Sequence, residues 1–381
     1  MKKLVCFLFF FLLFVLPAAA ETGYTDDMEQ YYDEQLELSG AEDLPDSLPD
    51  ETRVTLDRLG LGEIGWESFA NLNPGAIFGE IFSQMGEQSA TPLKAALSIL
   101  AVMLLCALME GMKLSFGERP LGGIIGAVSV LCICGVILSP LLACIAEAAN
   151  TIKGASGFLL AYVPVVAGIM IAGGQAVSAA SYHLLMMGAG EVVSLASSGF
   201  IVPLLNVFLG LSIVSSVSPK LSFSGVCDLI HRIVKWVLGL TMTIFISILT
   251  VQSLVGTAAD GTGSKTLKFV LSSFVPVVGG ALSEALGTVQ GCLKLLKSGV
   301  GAFGMLAAGF IFVPILLKCL MWMLSLHVCA AVGDIFELTQ ISSLLRAVGK
   351  VVSMLMSILL CVMTVLIIST VLVLIIGGAT G

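Results

Sequence analysis

The sequence predicts an all-α polytopic membrane protein with about eight transmembrane helices and an internal repeat of about 110 residues. Mean hydropathy is +1.04, and 57% of the 381 residues are apolar. Charged residues make up 12% of the chain, about half of the roughly 25% found in soluble domains. A soluble core of this size would carry far more charge, so we expect the body of the chain in a membrane.

Residues 1–20 have the pattern of a secretory signal peptide. Lys2 and Lys3 form a basic start, Leu4–Leu16 form an apolar stretch, and Pro17–Ala20 form a small-residue cleavage site. We expect the mature chain to begin at the next residue; the alternative is an uncleaved first membrane anchor. In either case the following segment is exported.

Residues 21–72 are predicted to form an acidic exported segment. Its first part, 21–67, holds fifteen Asp or Glu residues against only Arg53 and Arg58. With so much charge and few aliphatic side chains, the segment is expected to be disordered or ordered by a partner. We interpret it either as a docking arm for another exported protein or as a solvated spacer that assists export and orientation.

A short amphipathic helix is predicted over residues 73–91. Asn73 is a suitable N-cap, and Pro74 suits the first helical position. An apolar stripe follows at helical spacing, formed by Ile77, Phe78, Ile81, Phe82 and Met85. We expect this helix to lie at the outer membrane face or to pack on the protein's own spans.

Apolar runs of about 20 residues, long enough to cross a bilayer, begin near Leu93 and end near Gly377. Short loops carrying charges such as Lys153, Asp260 or Lys265 are expected between them. The candidate spans are 93–112, 121–146, 155–174, 199–217, 236–257, 269–288, 301–325 and 351–376.

Two landmarks are duplicated within this body. The pattern aromatic-Val-Pro-Val-Val occurs at Tyr162–Val166 and again at Phe274–Val278. A Gly-Phe-Ile segment follows each copy, at Gly199–Ile201 and at Gly309–Ile311. Since the second copy of each landmark lies about 110 residues after the first, the pattern indicates a duplicated membrane unit.

The repeat divides the body into an N-terminal transmembrane pair, 92–152, and two membrane repeat units, 153–264 and 265–381. Segments 175–197 and 289–300 occupy corresponding places in the two units and are too polar or too short for clear spans. Whether they cross decides between inverted and parallel repeats, and the positive-inside rule does not settle the question.

Each unit also contains a polar amphipathic stretch that leads into a long span. The stretch is Leu229–Lys235 in the first unit and Leu344–Lys350 in the second. This correspondence is loose, but its order along the chain agrees with the duplication.

Four prolines lie inside apolar runs, where the missing backbone N–H is expected to kink a helix. Glycine pairs near two of them favour either a cavity with a moving seam or close helix packing. The candidate kink residues are Pro164, Pro203, Pro276 and Pro314.

Few ionisable side chains are predicted at membrane depth. They are Glu191, Glu284 and Lys318, with His183 and His327 near span ends. Because a charge in the bilayer is costly, these residues are candidates for an ion-coupled site. The alternative is a structural pair or anchoring at the interface, and the two glutamates do not occupy equivalent repeat positions.

The sequence offers no chemistry of a soluble enzyme. Seven of the ten cysteines lie in or beside apolar spans, where cysteine behaves as a small hydrophobe, and Cys132 and Cys134 are too close for two ligands on one helical face. Metal-ligand spacing, a phosphate-binding loop and a nucleophile with its base are absent. We therefore predict no enzyme activity, no catalytic, cofactor-binding or metal-binding residues, and no cofactor.

The order of these features resembles the stage III sporulation protein AE family. The resemblance is carried by the signal peptide, the acidic segment with Leu44–Asp50, the helix start Leu72–Phe78 and the repeated Val-Pro-Val-Val. It implies membership of a channel-like, secretion-like complex between mother cell and forespore. The implied partners are exported ring-forming proteins, membrane lipid and an ATPase that couples indirectly, with no nucleic acid. The implied location is the mother-cell membrane around the forespore, with the acidic segment in the intermembrane space.

Two function classes follow. In the first, the chain is a platform or gate subunit of a multiprotein transenvelope channel. In the second, it is a secondary permease that moves ions or small solutes through the repeat interface. The acidic segment favours the first class, whereas the repeat and the membrane-depth carboxylates favour the second.

Overall fold

Long apolar stretches give this chain long helices. The computed structural model describes residues 26–64, 73–116, 121–196, 199, 201–217, 224–274 and 279–378, and every regular element in these ranges is helical. The helices are α1 (Asp26–Ser39), α2 (Asp50–Arg58), α3 (Pro74–Phe116), α4 (Leu121–Ala172), α5 (Ala176–Ala196), α6 (Val202–Val217), α7 (Ser224–Phe274), α8 (Gly279–Ile335) and α9 (Thr339–Gly378).

Five of the helices in the described part of the chain are long and apolar enough to cross a membrane. Helix α6 is apolar but shorter, with an apolar part at Val202–Ser215. The membrane-capable segments are Pro74–Met109, Gly126–Ala172, Gly225–Gln252, Leu295–Ile335 and Thr339–Val371. The chain is therefore an all-helical, multi-pass membrane protein, while the expected count of eight spans stays a prediction.

Helix α4 differs from the expected pair of spans. The ranges 121–146 and 155–174 were predicted as separate spans with a loop at Lys153, but α4 runs without interruption through Lys153. The intervening residues Glu147–Ser156 contain alanines and no proline, so their polarity interrupts an apolar run and leaves the helix intact. Helix α7 likewise continues through Asp260, where a loop was expected.

The centre of the bundle is α8, which packs against α9, α3 and α4. Its largest fully buried side chains are Phe303, Phe312 and Trp322. At Gly304 a Cβ atom would lie 2.5 Å from the ring of Tyr162, so a glycine there lets α8 approach α4 closely. By contrast, α7 lies at the periphery, with most of its apolar side chains exposed.

The acidic segment is folded against the bundle in the structure. Between α1 and α2 are two 3-10 turns, Ala41–Asp43 and Pro45–Ser47. The Tyr32 hydroxyl donates a hydrogen bond to the Ile64 carbonyl at 3.3 Å. The segment's aliphatic side chains Leu44, Leu48, Leu56 and Leu61 are buried, and its acidic side chains from Asp33 onward are exposed.

Two glycines of the bundle lie directly against this segment. A Cβ at Gly299 of α8 would lie 2.9 Å from the Tyr32 hydroxyl, and one at Gly154 of α4 would lie 3.1 Å from Pro49. In the structure, several apolar side chains of the segment are buried in one core with those of the bundle helices. We call residues 26–64 the acidic arm.

The amphipathic helix predicted over residues 73–91 is the first part of α3. As expected for an N-cap, the Asn73 side chain accepts a hydrogen bond from the Gly75 N–H at 2.9 Å. The Gln84 side chain of α3 donates a hydrogen bond to the Thr55 hydroxyl at 2.9 Å, and this contact connects α3 to the acidic arm. Ile77 is buried, whereas Phe82 of the predicted stripe is exposed.

The two ends of the bundle can be distinguished by what lies there. The acidic arm packs at one end, which we call the arm end. The turn Phe336–Leu338 between α8 and α9 lies at the other, which we call the turn end. Gly333 contacts Met103 of α3, and Gly126 of α4 contacts Gln340, so α3 ends and α4 begins near the turn end.

The four candidate kink prolines occupy different positions. Pro164 lies inside α4 and Pro314 inside α8. Pro203 is the second residue of α6 and follows the π-helical residues Gly199 and Ile201. Pro276 lies outside the described residues.

The duplicated landmarks also occupy different positions. Gly199 and Ile201 lie at the junction of α5 and α6, whereas Gly309–Ile311 lies inside α8. The first Val-Pro-Val-Val copy is inside α4, and the second falls outside the described residues except for its leading Phe274. The internal repeat therefore stays a prediction, as does the signal peptide, which also lies outside the described residues.

Candidate functional site

A tight turn between α4 and α5 is the centre of the candidate site. Gly174 adopts a left-handed conformation with φ of +78°, which glycine tolerates because it has no Cβ. The Gln175 N–H donates to the Met170 carbonyl at 2.9 Å, and the Gly174 N–H donates to the Ile171 carbonyl at 2.9 Å. This pattern ends α4 in the way that glycine commonly ends helices, and the chain reverses direction into α5.

Asp260 of α7 holds the start of α5. Its two carboxylate oxygens accept hydrogen bonds from the backbone N–H groups of Val177 and Ser178, at 3.0 and 2.9 Å. The first N–H groups of a helix have no partner within the helix and carry partial positive charge, so a carboxylate stabilises them. The two helices approach closely here, since a Cβ at Gly256 would lie 2.6 Å from the Ser178 hydroxyl.

Lys297 of α8 holds the same turn from another side. Its ammonium donates a hydrogen bond to the side-chain oxygen of Gln175 at 2.8 Å. Only 6% of Lys297 and 8% of Asp260 are exposed. Two buried side chains of opposite charge therefore fix one turn from two separate helices, and we call Gly173–Ser178 with Asp260 and Lys297 the pinned turn.

Three buried hydroxyl groups lie beside the pinned turn on α5 and α4. They belong to Ser178, Tyr182 and Tyr162, and none of them has a hydrogen-bond partner among the described residues. Buried polar groups normally have partners, and buried charges in membrane proteins often mark functional sites. The arrangement can hold α5 in place, and it places polar groups where a moving helix or a transferred ion would need them.

A second buried contact joins α4 and α8 farther along the bundle. The Lys318 ammonium forms an ion pair and hydrogen bond with the Glu147 carboxylate. The Lys318 side chain is 18% exposed, and that of Glu147 is 39% exposed. Cys144 and Cys319, close to the pair in sequence, are both buried.

Among the membrane-depth candidates whose side chains are described, Lys318 has an ion-pair partner, the partly buried Glu147. Glu191 is an exposed residue of α5. Glu284 lies on α8, but its side chain is outside the described part of the structure. His183 is partly buried on α5, and His327 is exposed on α8 beside Gly349.

Three charged residues of the two contacts were not predicted as site residues from the sequence. Glu147 follows a predicted span by one position, Asp260 was assigned to a loop, and Lys297 lies in segment 289–300, which was too polar or too short for a clear span. The break Gly173-Gly174 followed by Gln175 was the available signal for a pinned turn. Within the ranges described, no group of three or more side chains is arranged to hold a metal ion.

Comparisons with known proteins agree with the architecture. The family model of stage III sporulation protein AE matches residues 67–378. A Bacillus subtilis (strain 168) protein described as "Stage III sporulation protein AE" is 24% identical over 224 residues, which cover 59% of this chain and 56% of the relative.

The match therefore spans little more than half the length of that relative. No solved structure matches the chain. The family model, by contrast, covers all of α3 to α9 and hence every membrane-capable helix described above. On that ground the chain belongs to the stage III sporulation protein AE family.

Proposed function

We propose that this chain is a platform or gate subunit in the membrane, part of a multiprotein transenvelope channel required during endospore formation. Family membership supports a role in sporulation, and the membrane-capable helices support a multi-pass location. The observation that carries the proposal further is the acidic arm, which is folded on the bundle and directs its carboxylates outward.

The acidic arm divides its side chains in the manner of a docking surface. Apolar residues such as Leu44 and Leu56 are buried against the protein, whereas Glu37, Glu42 and Asp43 are exposed. A spacer that only assists export would not need a fixed fold. A folded acidic surface instead favours a partner with basic groups, because complementary charges speed association and select the partner.

Within this proposal, the partners are exported proteins that assemble into rings, and a partner ATPase supplies energy indirectly. The protein lies in the mother-cell membrane around the forespore, and the acidic arm faces the intermembrane space. The chain itself performs no catalysis.

The test is to neutralise exposed carboxylates of the arm without disturbing its fold. The triple variant Glu37→Gln, Glu42→Gln, Asp43→Asn should lose co-purifying exported partners while membrane insertion and thermal stability stay unchanged. Unchanged partner recovery would overturn the docking role of the arm.

A matched control removes three exposed carboxylates elsewhere on the protein. The variant Glu87→Gln, Glu191→Gln, Glu337→Gln should keep the partners, because these side chains lie outside the acidic arm. Equal losses in both triple variants would show that total charge matters and that the arm is not a specific surface.

The competing function is a secondary permease, and the pinned turn with its buried Asp260 and Lys297 is the observation that favours it. Sporulation and partner recovery, measured together, separate the two functions. A permease that uses the candidate carboxylates requires that Glu191→Gln and Glu284→Gln impair sporulation at normal protein levels with partners still bound. Normal sporulation in both variants counts against that permease.

A further inference from the structure

An open cavity of about 530 Å³ lies at the turn end, away from the pinned turn and the acidic arm. It is lined by α6, α9, the start of α7 and the end of α8. Its volume falls within the about 300–1,000 Å³ typical of small-ligand sites. The residues that decide its chemistry are Ser342, Ser343, Arg346, Lys350, Asp334 and Cys227.

The cations of the cavity come from one face of α9. Arg346 and Lys350 are four residues apart, so both side chains leave the helix on the same side. Arg346 pairs with Asp334, and Lys350 donates to Asp228 at 2.7 Å.

These are rim pairs, since the four side chains are between 44% and 64% exposed. Exposed pairs of this kind contribute little stability. An anionic ligand can therefore replace Asp334 and Asp228 as the partners of Arg346 and Lys350 at a small cost in free energy.

The hydroxyl groups of the cavity favour a ligand with hydrogen-bond donors. Ser342 donates its proton to the Ala330 carbonyl at 3.2 Å, and Ser343 donates to the Gln340 carbonyl at 2.8 Å. Each hydroxyl oxygen keeps lone pairs that can accept from a ligand. Together with the carboxylate of Asp334, they suit hydroxyl groups next to an anionic group, as in a phosphate ester of a polyol.

The position of the cavity favours a lipid as the source of that ligand. Cys227 on its wall lies near the start of the membrane-capable segment Gly225–Gln252. Trp236, about two and a half turns farther along α7, is 68% exposed, as expected for a tryptophan at the membrane interface. The cavity thus lies at the level where lipid head groups lie.

The cavity is lined by residues of one of the two polar stretches and lies beside the helix that carries the other. The polar stretches Leu229–Lys235 and Leu344–Lys350 belong to separate predicted units. In the structure their helices meet at the cavity through the Lys350–Asp228 contact. Basic pockets between transmembrane helices are known to bind anionic head groups.

From this geometry we infer that the cavity at the turn end binds the phosphate-bearing head group of an anionic phospholipid. The phosphate contacts Arg346 and Lys350, and the hydroxyl groups of the head group contact Ser342, Ser343 and Asp334. The site is independent of the proposed docking role of the acidic arm.

The experiment uses full-length protein in nanodiscs of phosphatidylcholine with or without phosphatidylglycerol, with bound lipid counted by native mass spectrometry after release. The wild-type protein should retain phosphatidylglycerol and gain thermal stability from it. The double variant Arg346→Gln, Lys350→Gln should lose about tenfold or more of this retention, because both phosphate contacts are removed.

Two further variants distinguish binding in the cavity from nonspecific attraction of anionic lipid to surface charges. Arg232→Gln, Lys235→Gln removes two exposed charges from α7 that do not line the cavity, and it should lose no more than about twofold. Ala347→Phe fills the cavity and keeps every charge, and it should lose as much retention as the first double variant. Equal losses in the two double variants, or full retention in Ala347→Phe, would overturn the inference.

Inorganic phosphate without lipid distinguishes the two possible sources of the phosphate group. Binding of phosphatidylglycerol that inorganic phosphate does not displace supports a lipid site. Stabilisation of the detergent-purified protein by inorganic phosphate alone, lost in Arg346→Gln, Lys350→Gln, would overturn the lipid and assign the cavity to a soluble phosphate ligand.

Discussion

At Lys318, a charge inside the bundle depends on a single carboxylate. The Lys318 side chain is 18% exposed and that of Glu147 is 39% exposed, so the protein encloses the ammonium more than the carboxylate. An unpaired charge costs more where protein encloses it, so losing the carboxylate leaves the more enclosed charge unpaired. The two single substitutions are therefore not equivalent.

Glu147→Gln should lower the free energy of unfolding by about 1–3 kcal/mol, below the about 3–5 kcal/mol known for fully buried pairs. Lys318→Met should cost less, because it leaves only the less enclosed member of the pair. The double variant should be more stable than the sum of the single effects predicts. Thermal unfolding in detergent measures all three, and additive effects would contradict the pairing.

A matched control is the exposed pair of Arg53 and Asp46 in the acidic arm. Their side chains are 50% and 65% exposed, and the N–O distance is 2.6 Å. Arg53→Gln and Asp46→Asn should each change stability by no more than about 1 kcal/mol, since exposed pairs contribute little.

Among the elements, α5 depends most on its neighbours. It begins at the pinned turn, and its first N–H groups are held by a side chain from α7. Its other end meets α6 at Gly199 and Ile201. A helix whose N-terminus needs a partner from elsewhere in the chain opens more readily when that partner is removed.

Asp260→Ala should destabilise the start of α5 by about 1–2 kcal/mol, because two N–H groups lose their acceptor. Hydrogen exchange at the amides of Val177 and Ser178 should become faster, while exchange in the core of α8 stays slow. As a control, Glu191→Gln at the far end of α5 should leave both amides protected. Unchanged protection in Asp260→Ala would show that the carboxylate does not hold the helix.

The helical, membrane-spanning character of the chain could be predicted because composition and run length depend only on local sequence. The continuity of α4 could not, since Lys153 interrupts hydropathy but does not stop a helix. The contacts of the candidate site were also out of reach. Glu147 and Lys318 are 171 residues apart and Gln175 and Lys297 are 122 apart, and no periodicity within one segment reports such pairs.

The packing of the acidic arm could not be predicted for a related reason. Its charge density predicts disorder or ordering by a partner when the segment is considered alone. In the structure, Pro49 and Tyr32 of the arm lie against Gly154 of α4 and Gly299 of α8. Fixed structure in a charged segment can therefore depend on small residues far away in sequence.

At the scale of the whole molecule, the bundle is taller than a bilayer core. Helix α4 has 52 residues, or about 78 Å at 1.5 Å per residue, against a hydrocarbon core of about 30 Å. The charged acidic arm packs beside α4 and α8 at Gly154 and Gly299. Because carboxylates avoid hydrocarbon, we expect the membrane to surround the part of the bundle nearer the turn end.

This placement puts the acidic arm and the turn Phe336–Leu338 on opposite sides of the membrane. In a protein without its native cysteines, Glu42→Cys should react with an impermeant maleimide added outside. Glu337→Cys should react only after the membrane is permeabilised. Both positions are exposed, so access to the reagent depends on the side alone. Labelling of both from the same side would contradict this topology.

The partners of the pinned turn are synthesised later than the turn itself. Asp260 lies 83 residues after Val177, and Lys297 lies 122 residues after Gln175, so both partners are synthesised long after the turn itself. While the ribosome is still making α6 and the first part of α7, the start of α5 has neither of its two long-range partners. The start of α5 therefore gains both of its long-range partners only after α7 and the first part of α8 have been made, and the first half of the bundle is completed by the second.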